Sequence, residues 1–127
     1  MIVVDSSVAI AALTGHRPAR EAVVEQRLVA PHLIDVEVAN ALRGLALGGK
    51  IAPTDAGRAL KLWQGLAIDR VPIAPLLPRI WELRENLTAH DATFVATAEA
   101  QGVALVTADR RLAATVGPRC PVQLIPL

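Results

Sequence analysis

Residues 2–7 read Ile2-Val3-Val4-Asp5-Ser6-Ser7, and this short stretch decides the fold class. Three consecutive β-branched apolar residues predict a buried strand, because a half-exposed strand alternates apolar with polar. The run stops at a carboxylate, so Asp5 stands at the carboxyl end of that strand. Ser6 or Ser7 then caps a helix to about Leu13, since a serine oxygen accepts a free backbone N–H at a helix start. The pattern recurs near the other end of the chain. Val103-Ala104-Leu105-Val106-Thr107 is a second buried run, Asp109 follows it directly, and a short helix covers about Arg111–Thr115.

Between these two stretches, strands and helices alternate. Gly15–Pro18 read as a loop, Ala19–Gln26 as a helix and Leu28–Ala30 as a brief strand. Asp35 caps a helix that runs to about Leu47 and ends at Gly48 and Gly49. Within it Glu37, Asn40, Ala41 and Gly44 share one face, and Val38, Leu42 and Leu45 make an adjacent apolar stripe. A further helix runs from about Thr54 through Trp63 to Leu66. Arg70–Ala74 read as a third strand, and Pro75–Glu85 as a helix that holds Pro78 in its first turn, where proline is tolerated. Thr88 opens a helix that ends at Gly102, and Val122–Ile125 make a last strand. No repeat or low-complexity segment interrupts this order. The expected architecture is α/β: one domain over residues 1–127, with a mostly parallel central sheet of four to five short strands and helices on both faces.

The totals agree with one ordinary core. The chain has 127 residues and is 53% hydrophobic, and its mean hydropathy of +0.41 leaves apolar surface for association. A net charge of +1 excludes a strong bulk attraction to nucleic acid, so any such contact must use local patches. Cys120 is the only cysteine; it forms no internal disulfide, which fits a reducing cytoplasm. Asp5 interrupts the apolar N-terminus and no basic residue precedes it, the opposite of what a signal peptide or spanning helix needs. The expectation is a cytoplasmic protein with no membrane segment.

Topology gathers four acids. Sites in open parallel sheets form beyond the carboxyl ends of the strands. Asp5 and Asp109 lie just past two strand ends, while Glu37 and Asp91 lie in the first turns of helices that start at that same edge. Clustered carboxylates repel, and a divalent cation reverses that cost. Mg²⁺ and Mn²⁺ suit carboxylate and water oxygens, and no Cys/His set has zinc spacing. Each acid also has a structural role open to it. Asp5 and Asp109 can cap helices, Glu37 and Asp91 can be favourable charges at helix N-termini, and Thr88 to Asp91 has capping-box form. Asp35, Asp55 and Asp69 are assigned to caps and loops.

The segments VVDSSV (3–8), DVEVANALR (35–43), NLTAHDATFVATA (86–98) and LVTADRRLA (105–113) resemble the four motifs of PIN-domain ribonucleases, and among them the VapC toxins of toxin–antitoxin pairs. The resemblance covers essentially the whole chain. It implies a metal-dependent endoribonuclease that cuts structured RNA such as tRNA or ribosomal RNA. Asp5, Glu37, Asp91 and Asp109 match the family's acidic quartet as catalytic and Mg²⁺- or Mn²⁺-binding residues, with Glu37 acting directly or through water. Ser7 and Thr107 match supporting hydroxyls, and Asn40 the polar residue one turn after the helix acid. His90 stands where many relatives carry Tyr and is not assigned as a general base. The resemblance further implies a VapB-type antitoxin and a homodimer. Apolar helix surface near Leu42, Leu45, Leu62 and Trp63 is where the antitoxin's amphipathic segment is expected, although leucines and tryptophans so spaced are more often core.

Other classes fit less well. A haloacid-dehalogenase-type phosphotransferase needs a second Asp two residues after the first, where Ser7 stands. A receiver domain needs a Lys after a late strand, and Lys50 and Lys61 are both elsewhere. A PIN-like RNA-binding or assembly module without turnover is the remaining alternative.

Overall fold

The structure, a computed structural model, describes residues 1–127. Five strands form one sheet: β1 Ile2–Val4, β2 Leu28–Pro31, β3 Ile68–Val71, β4 Ala104–Thr107 and β5 Val122–Leu124. Their order is β3-β2-β1-β4-β5, and every neighbouring pair is parallel. The chain walks outward from β1 to β2 and β3, then returns to lay β4 on the other side of β1. Strand order therefore reverses between β1 and β4. Loops diverge at such a switch point and leave a crevice beyond the strand ends. Register places Val4 opposite Val106, so Asp5 and Thr107 leave the sheet side by side.

The helices are α1 Ser6–Leu13, α2 Arg17–Val24, α3 Leu33–Leu47, α4 Pro53–Gly65, α5 Leu77–Glu82, α6 Ala89–Gln101 and α7 Arg110–Ala114. They flank both faces of the sheet, as the alternating pattern predicts. The α6 helix lies across β1, β2 and β4. Seven consecutive residues, Ala92–Ala98, are buried in it, and five of them are Ala or Thr, small enough for close approach to the strands. The Thr93 and Thr97 hydroxyls stay satisfied there by donating to the carbonyls of Ala89 and Thr93, each at 2.7 Å. Gly102 ends the helix at φ +66°, a left-handed conformation that glycine adopts without penalty.

Several local expectations are corrected. The third strand is Ile68–Val71 rather than 70–74, because it pairs with β2 through Leu28↔Ile68 to Pro31↔Val71. Asp69 lies within that strand, not in a loop, and pairs with Arg27 at 2.7 Å. The expected helix over 75–85 is a 3-10 turn at Ala74–Leu76 followed by the short α5. Arg17 and Pro18 belong to α2, with the proline in the first turn. Leu42 and Trp63 are buried in the core, and of the two only Trp63 reaches the wall of an apolar cavity. Leu62 is exposed and, with Val24 and Leu66, borders an apolar cavity of about 330 Å³ between α1, α2 and α4. Trp81 is 67% exposed, with the Arg84 guanidinium 4.6 Å from its ring centre.

Asp35 does not cap α3; it lies in the first turn, and His32 precedes the helix. Its carboxylate accepts from Trp63 Nε1 at 2.8 Å and from Arg70 Nε and Nη2 at 2.7 and 2.9 Å. These bonds tie α3 to α4 and β3. The Arg70 bonds hold the Asp35 carboxyl below the usual carboxylate range. The pair is partly solvent-exposed, so Arg70→Ala is expected to lower stability by only about 1 kcal/mol. A depressed carboxylate pKa stabilises the fold above its unfolded value, and that stability is lost as pH falls through the folded one. The difference between wild type and variant in urea titrations should therefore shrink on acidification.

Candidate active site

Asp5 follows β1 at the switch point and is 6% exposed. A carboxylate this deep survives only if its oxygens are bonded. Ser7 Oγ donates to Oδ1 at 2.5 Å, the Val8 backbone N–H donates to Oδ1 at 3.2 Å, and Thr107 Oγ1 donates to Oδ2. Asp5 is thus both the cap of α1 and the centre of a polar cluster. The capping role open to Asp5 in the sequence is thus realised, and the cap belongs to Asp5 rather than to Ser6 or Ser7.

The two hydroxyls work in both directions. Ser7 Oγ accepts from the Ala108 N–H at 2.9 Å, and Thr107 Oγ1 accepts from the Asp109 N–H at 3.0 Å. Each therefore links the Asp5 carboxylate to the backbone turn that carries Asp109. Asp109 caps α7, taking the Arg111 N–H at 2.8 Å. Asp91 sits in the first turn of α6, where Thr88 Oγ1 accepts the Asp91 N–H at 3.2 Å. Glu37 is on α3 with its side chain 21% exposed. Ser6 Oγ donates to its Oε2 at 3.3 Å, a contact that sequence reasoning missed, since nothing in the local pattern links residues 6 and 37. Asn40 lies exposed on α3 with no hydrogen bond to Glu37. His90 is largely exposed, its Nδ1 4.0 Å from Glu37 Oε1, beyond hydrogen-bond reach.

The electrostatics show that the acids share one field. Burial raises the pKa of Asp5 most; its hydrogen bonds with Ser7, Thr107 and Val8 oppose the rise, and the Asp91 charge adds to it. Burial also raises Glu37, opposed by His90 and Ser6 and reinforced by Asp91 and Asp5. Asp91 is raised by burial and then by Asp109, with Thr88, His90 and Arg111 pulling the other way. These couplings join Asp91 to Asp5, Glu37 and Asp109, and Glu37 to Asp5, so Asp91 is the charge that the other three acids have in common at the edge of the sheet.

A divalent cation fits this donor set. Glu37 Oε1 is buried and has no hydrogen-bond partner, an acceptor without a donor among repelling carboxylates. No trio of Asp, Glu, His or Cys side chains is gathered tightly enough to hold an ion by protein atoms alone. A donor set made of carboxylates suits Mg²⁺ or Mn²⁺, hard ions that take oxygen ligands and keep several waters. It does not suit a closed cage of the zinc type.

Comparison with known proteins places the chain. A family model for the PIN domain matches residues 2–117. Ribonuclease VapC9 of Mycobacterium tuberculosis is 48% identical over 126 residues, covering 99% of both chains. Ribonuclease VapC1 of the same organism is 39% identical over 130 residues, covering 97% of this chain and 96% of its own. A Pyrobaculum aerophilum protein superposes with a TM-score of 0.75 at 28% identity, over 96% of this chain and 82% of that one. A toxin–antitoxin complex from Klebsiella pneumoniae shares the fold, with a TM-score of 0.71 at 19% identity over 96% and 95%. The switch-point site, the full-length identity and the family match lead to one conclusion: this chain belongs to the PIN-domain family and, within it, to the VapC ribonucleases.

Proposed function

We propose that this ribonuclease cuts structured RNA as the toxin of a toxin–antitoxin pair, using Mg²⁺ or Mn²⁺ held by Asp5, Asp91 and Asp109, with Glu37 acting directly or through water. The observation that carries the reading is the buried, donorless Glu37 oxygen amid carboxylates that repel one another. When bound, the ion supplies a water of lowered pKa and stabilises charge on the phosphodiester. The chain's own residues set the geometry. Ser7 and Thr107 fix the Asp5 carboxylate and, through the turn after β4, the position of Asp109. Ser6 holds one oxygen of Glu37 and leaves the other free to face the site. In-line attack by water would leave 5′-phosphate and 3′-hydroxyl ends.

The partner proposed is a VapB-type antitoxin. Fold neighbours from Klebsiella pneumoniae and Rickettsia felis are described as a toxin–antitoxin complex and as VapBC2 bound to a fragment of its promoter DNA. The groove bordered by Val24, Leu62 and Leu66 is the apolar surface available to an amphipathic segment. No helix is long and apolar enough to cross a membrane. A cytoplasmic location is proposed, in keeping with the free thiol of Cys120.

Purified protein incubated with total RNA tests this reading. Cleavage should require added Mg²⁺ or Mn²⁺ and stop in EDTA. Metal binding without cleavage of any RNA would mark a binding module instead. Stability supplies a second test. A carboxyl whose folded pKa is raised stabilises the fold below its unfolded value, and that contribution is lost as pH rises through the folded one. Asp5, Glu37 and Asp91 all behave so. Asp35 and Glu99 are shifted the other way, so the clean readout is wild type minus Asp91→Asn. In EDTA that difference should turn against the wild type as pH rises from about 4 to neutrality. Mn²⁺ should reverse it at neutral pH and have little effect near pH 4, where the ligands are protonated.

A further inference from the structure

RNA carries a phosphate at every nucleotide, and the acid rim repels all of them but the one an ion bridges. A protein of net charge +1 has no general field to offset this, so a local cation must do so. Most of its arginines are engaged elsewhere. Arg17, Arg27, Arg58, Arg70 and Arg79 are paired with carboxylates. Arg20 donates to the Ala12 carbonyl at 2.8 Å, and Arg84 lies over Trp81.

Arg111 differs from all of these. Its guanidinium has no ion-pair or hydrogen-bond partner in the protein. It lines a cleft of about 180 Å³ together with Asn86, Thr88, Asp91, Asp109 and Thr115. Two acids of the site thus form one wall of a space whose other groups include unengaged donors. The Asn86 side-chain amide has no partner in the protein. Thr88 Oγ1 accepts the Asp91 N–H, which leaves its own proton free to donate. Thr115 spends its proton on the Arg111 carbonyl at 2.7 Å and so contributes no free donor. Arg110, adjacent in sequence, does not line the cleft. A guanidinium, an amide and a hydroxyl, all donors and one of them charged, match the oxygens of a phosphate and its ribose. An apolar ligand finds little to bind there, because only Leu87 and Leu112 among the lining residues are hydrophobic.

We propose that this cleft is an RNA-backbone subsite in which Arg111 grips the phosphate next to the one cut at the acid rim, with Asn86 and Thr88 donating to the same phosphate or its ribose. The assignment rests on the ribonuclease reading above and adds a substrate-positioning residue to it. It also explains how a nearly neutral protein with an acidic rim holds a polyanion in register for cleavage. Position matters more than total charge, since one fixed cation beside the rim orients the strand where a diffuse positive surface would not.

The test uses Arg111→Ala, Arg111→Lys and Lys61→Ala, the last a remote exposed cation on α4. The readouts are binding of a short labelled single-stranded RNA across a salt series in EDTA, Mn²⁺ binding without RNA, and cleavage kinetics. Arg111→Ala should flatten the plot of log affinity against log salt by about 0.7, the increment for one phosphate contact on a single strand. It should raise KM roughly tenfold and leave kcat essentially unchanged, and Mn²⁺ affinity should not fall, because the Arg111 charge acts on Asp91 and opposes a cation bound beside it. Arg111→Lys should keep the salt slope and recover only part of KM, because an ammonium lacks the bidentate fork. Lys61→Ala should match wild type. A slope unchanged in Arg111→Ala overturns the proposal, as does a fall in Mn²⁺ affinity with RNA binding intact, which would make Arg111 a support of the acid site and not a phosphate contact. If the wild type cuts no RNA, the ribonuclease mechanism fails, while the binding slopes still report on Arg111 separately.

Discussion

Asp5→Asn is expected to abolish RNA cleavage while leaving the fold standing. The amide has the shape of the carboxylate but not its charge, and it cannot ligate a hard cation as a carboxylate does. Loss of an ion that contributes several kcal/mol to the transition state lowers kcat by at least about a thousandfold. Stability should move little, and in EDTA at neutral pH it should rise. The buried charge disfavours the metal-free fold, as the raised pKa of Asp5 shows. The amide oxygen can still accept from Ser7 and from the Val8 N–H that Asp5 caps, although the NH2 group replaces the oxygen to which Thr107 donates and offsets part of the gain. Asp5→Ala is the poorer probe, because losing the cap alone costs about 1 kcal/mol and strands the Ser7 and Thr107 donors. Thermal unfolding beside an RNA-cleavage assay separates the two effects. Full activity in Asp5→Asn would remove Asp5 from the metal site.

Thr107→Val should produce the largest combined loss of stability and activity outside the acids themselves. Thr107 is fully buried, and its one hydroxyl serves two partners. It donates to Asp5 Oδ2 and accepts the Asp109 N–H at 3.0 Å. Valine keeps the volume and removes both bonds. An unsatisfied buried donor costs about 1–3 kcal/mol, roughly a 4–10 °C fall in Tm for a chain of this size. Asp5 and Asp109 also lose their shared tether, so metal affinity or kcat should fall about 10–100-fold, as when partners of metal ligands are removed. Thr107→Ser separates the causes. It keeps the hydroxyl and should regain most of the activity, but it still lacks a buried methyl and should recover only part of the stability. Equal activity in the Val and Ser variants would show that the tether does not position the acids.

Much of this was legible along the chain. Ile2-Val3-Val4 and Leu105-Val106 announce buried strands by composition alone, and the acids after them fall at the strand ends because a strand stops where charge begins. The resemblance of four spaced motifs named the family before any coordinate. Boundaries were less legible. Residues 68–71 form a strand because β2 offers them backbone partners, although Asp69 and Arg70 read as loop and strand start. Asp35 looked like a cap and serves instead as a tie to Trp63 and Arg70, a role set by residues 28 and 35 positions away.

The sequence by itself determined the fold class and the family and singled out the four acids proposed for the site, because those readings depend on local periodicity and on motif spacing. Only the tertiary structure decided how the acids are held. Ser7 and Thr107 meet across 100 residues because β1 and β4 lie side by side in register. Ser6 reaches Glu37, and Arg111 rather than Arg110 faces the cleft, because helix rotation chooses which side chains turn toward the rim. Burial decided the rest. It raises the pKa of Asp5, Glu37 and Asp91 and leaves one Glu37 oxygen without a donor, and desolvation is a property of the packed fold that no linear pattern carries.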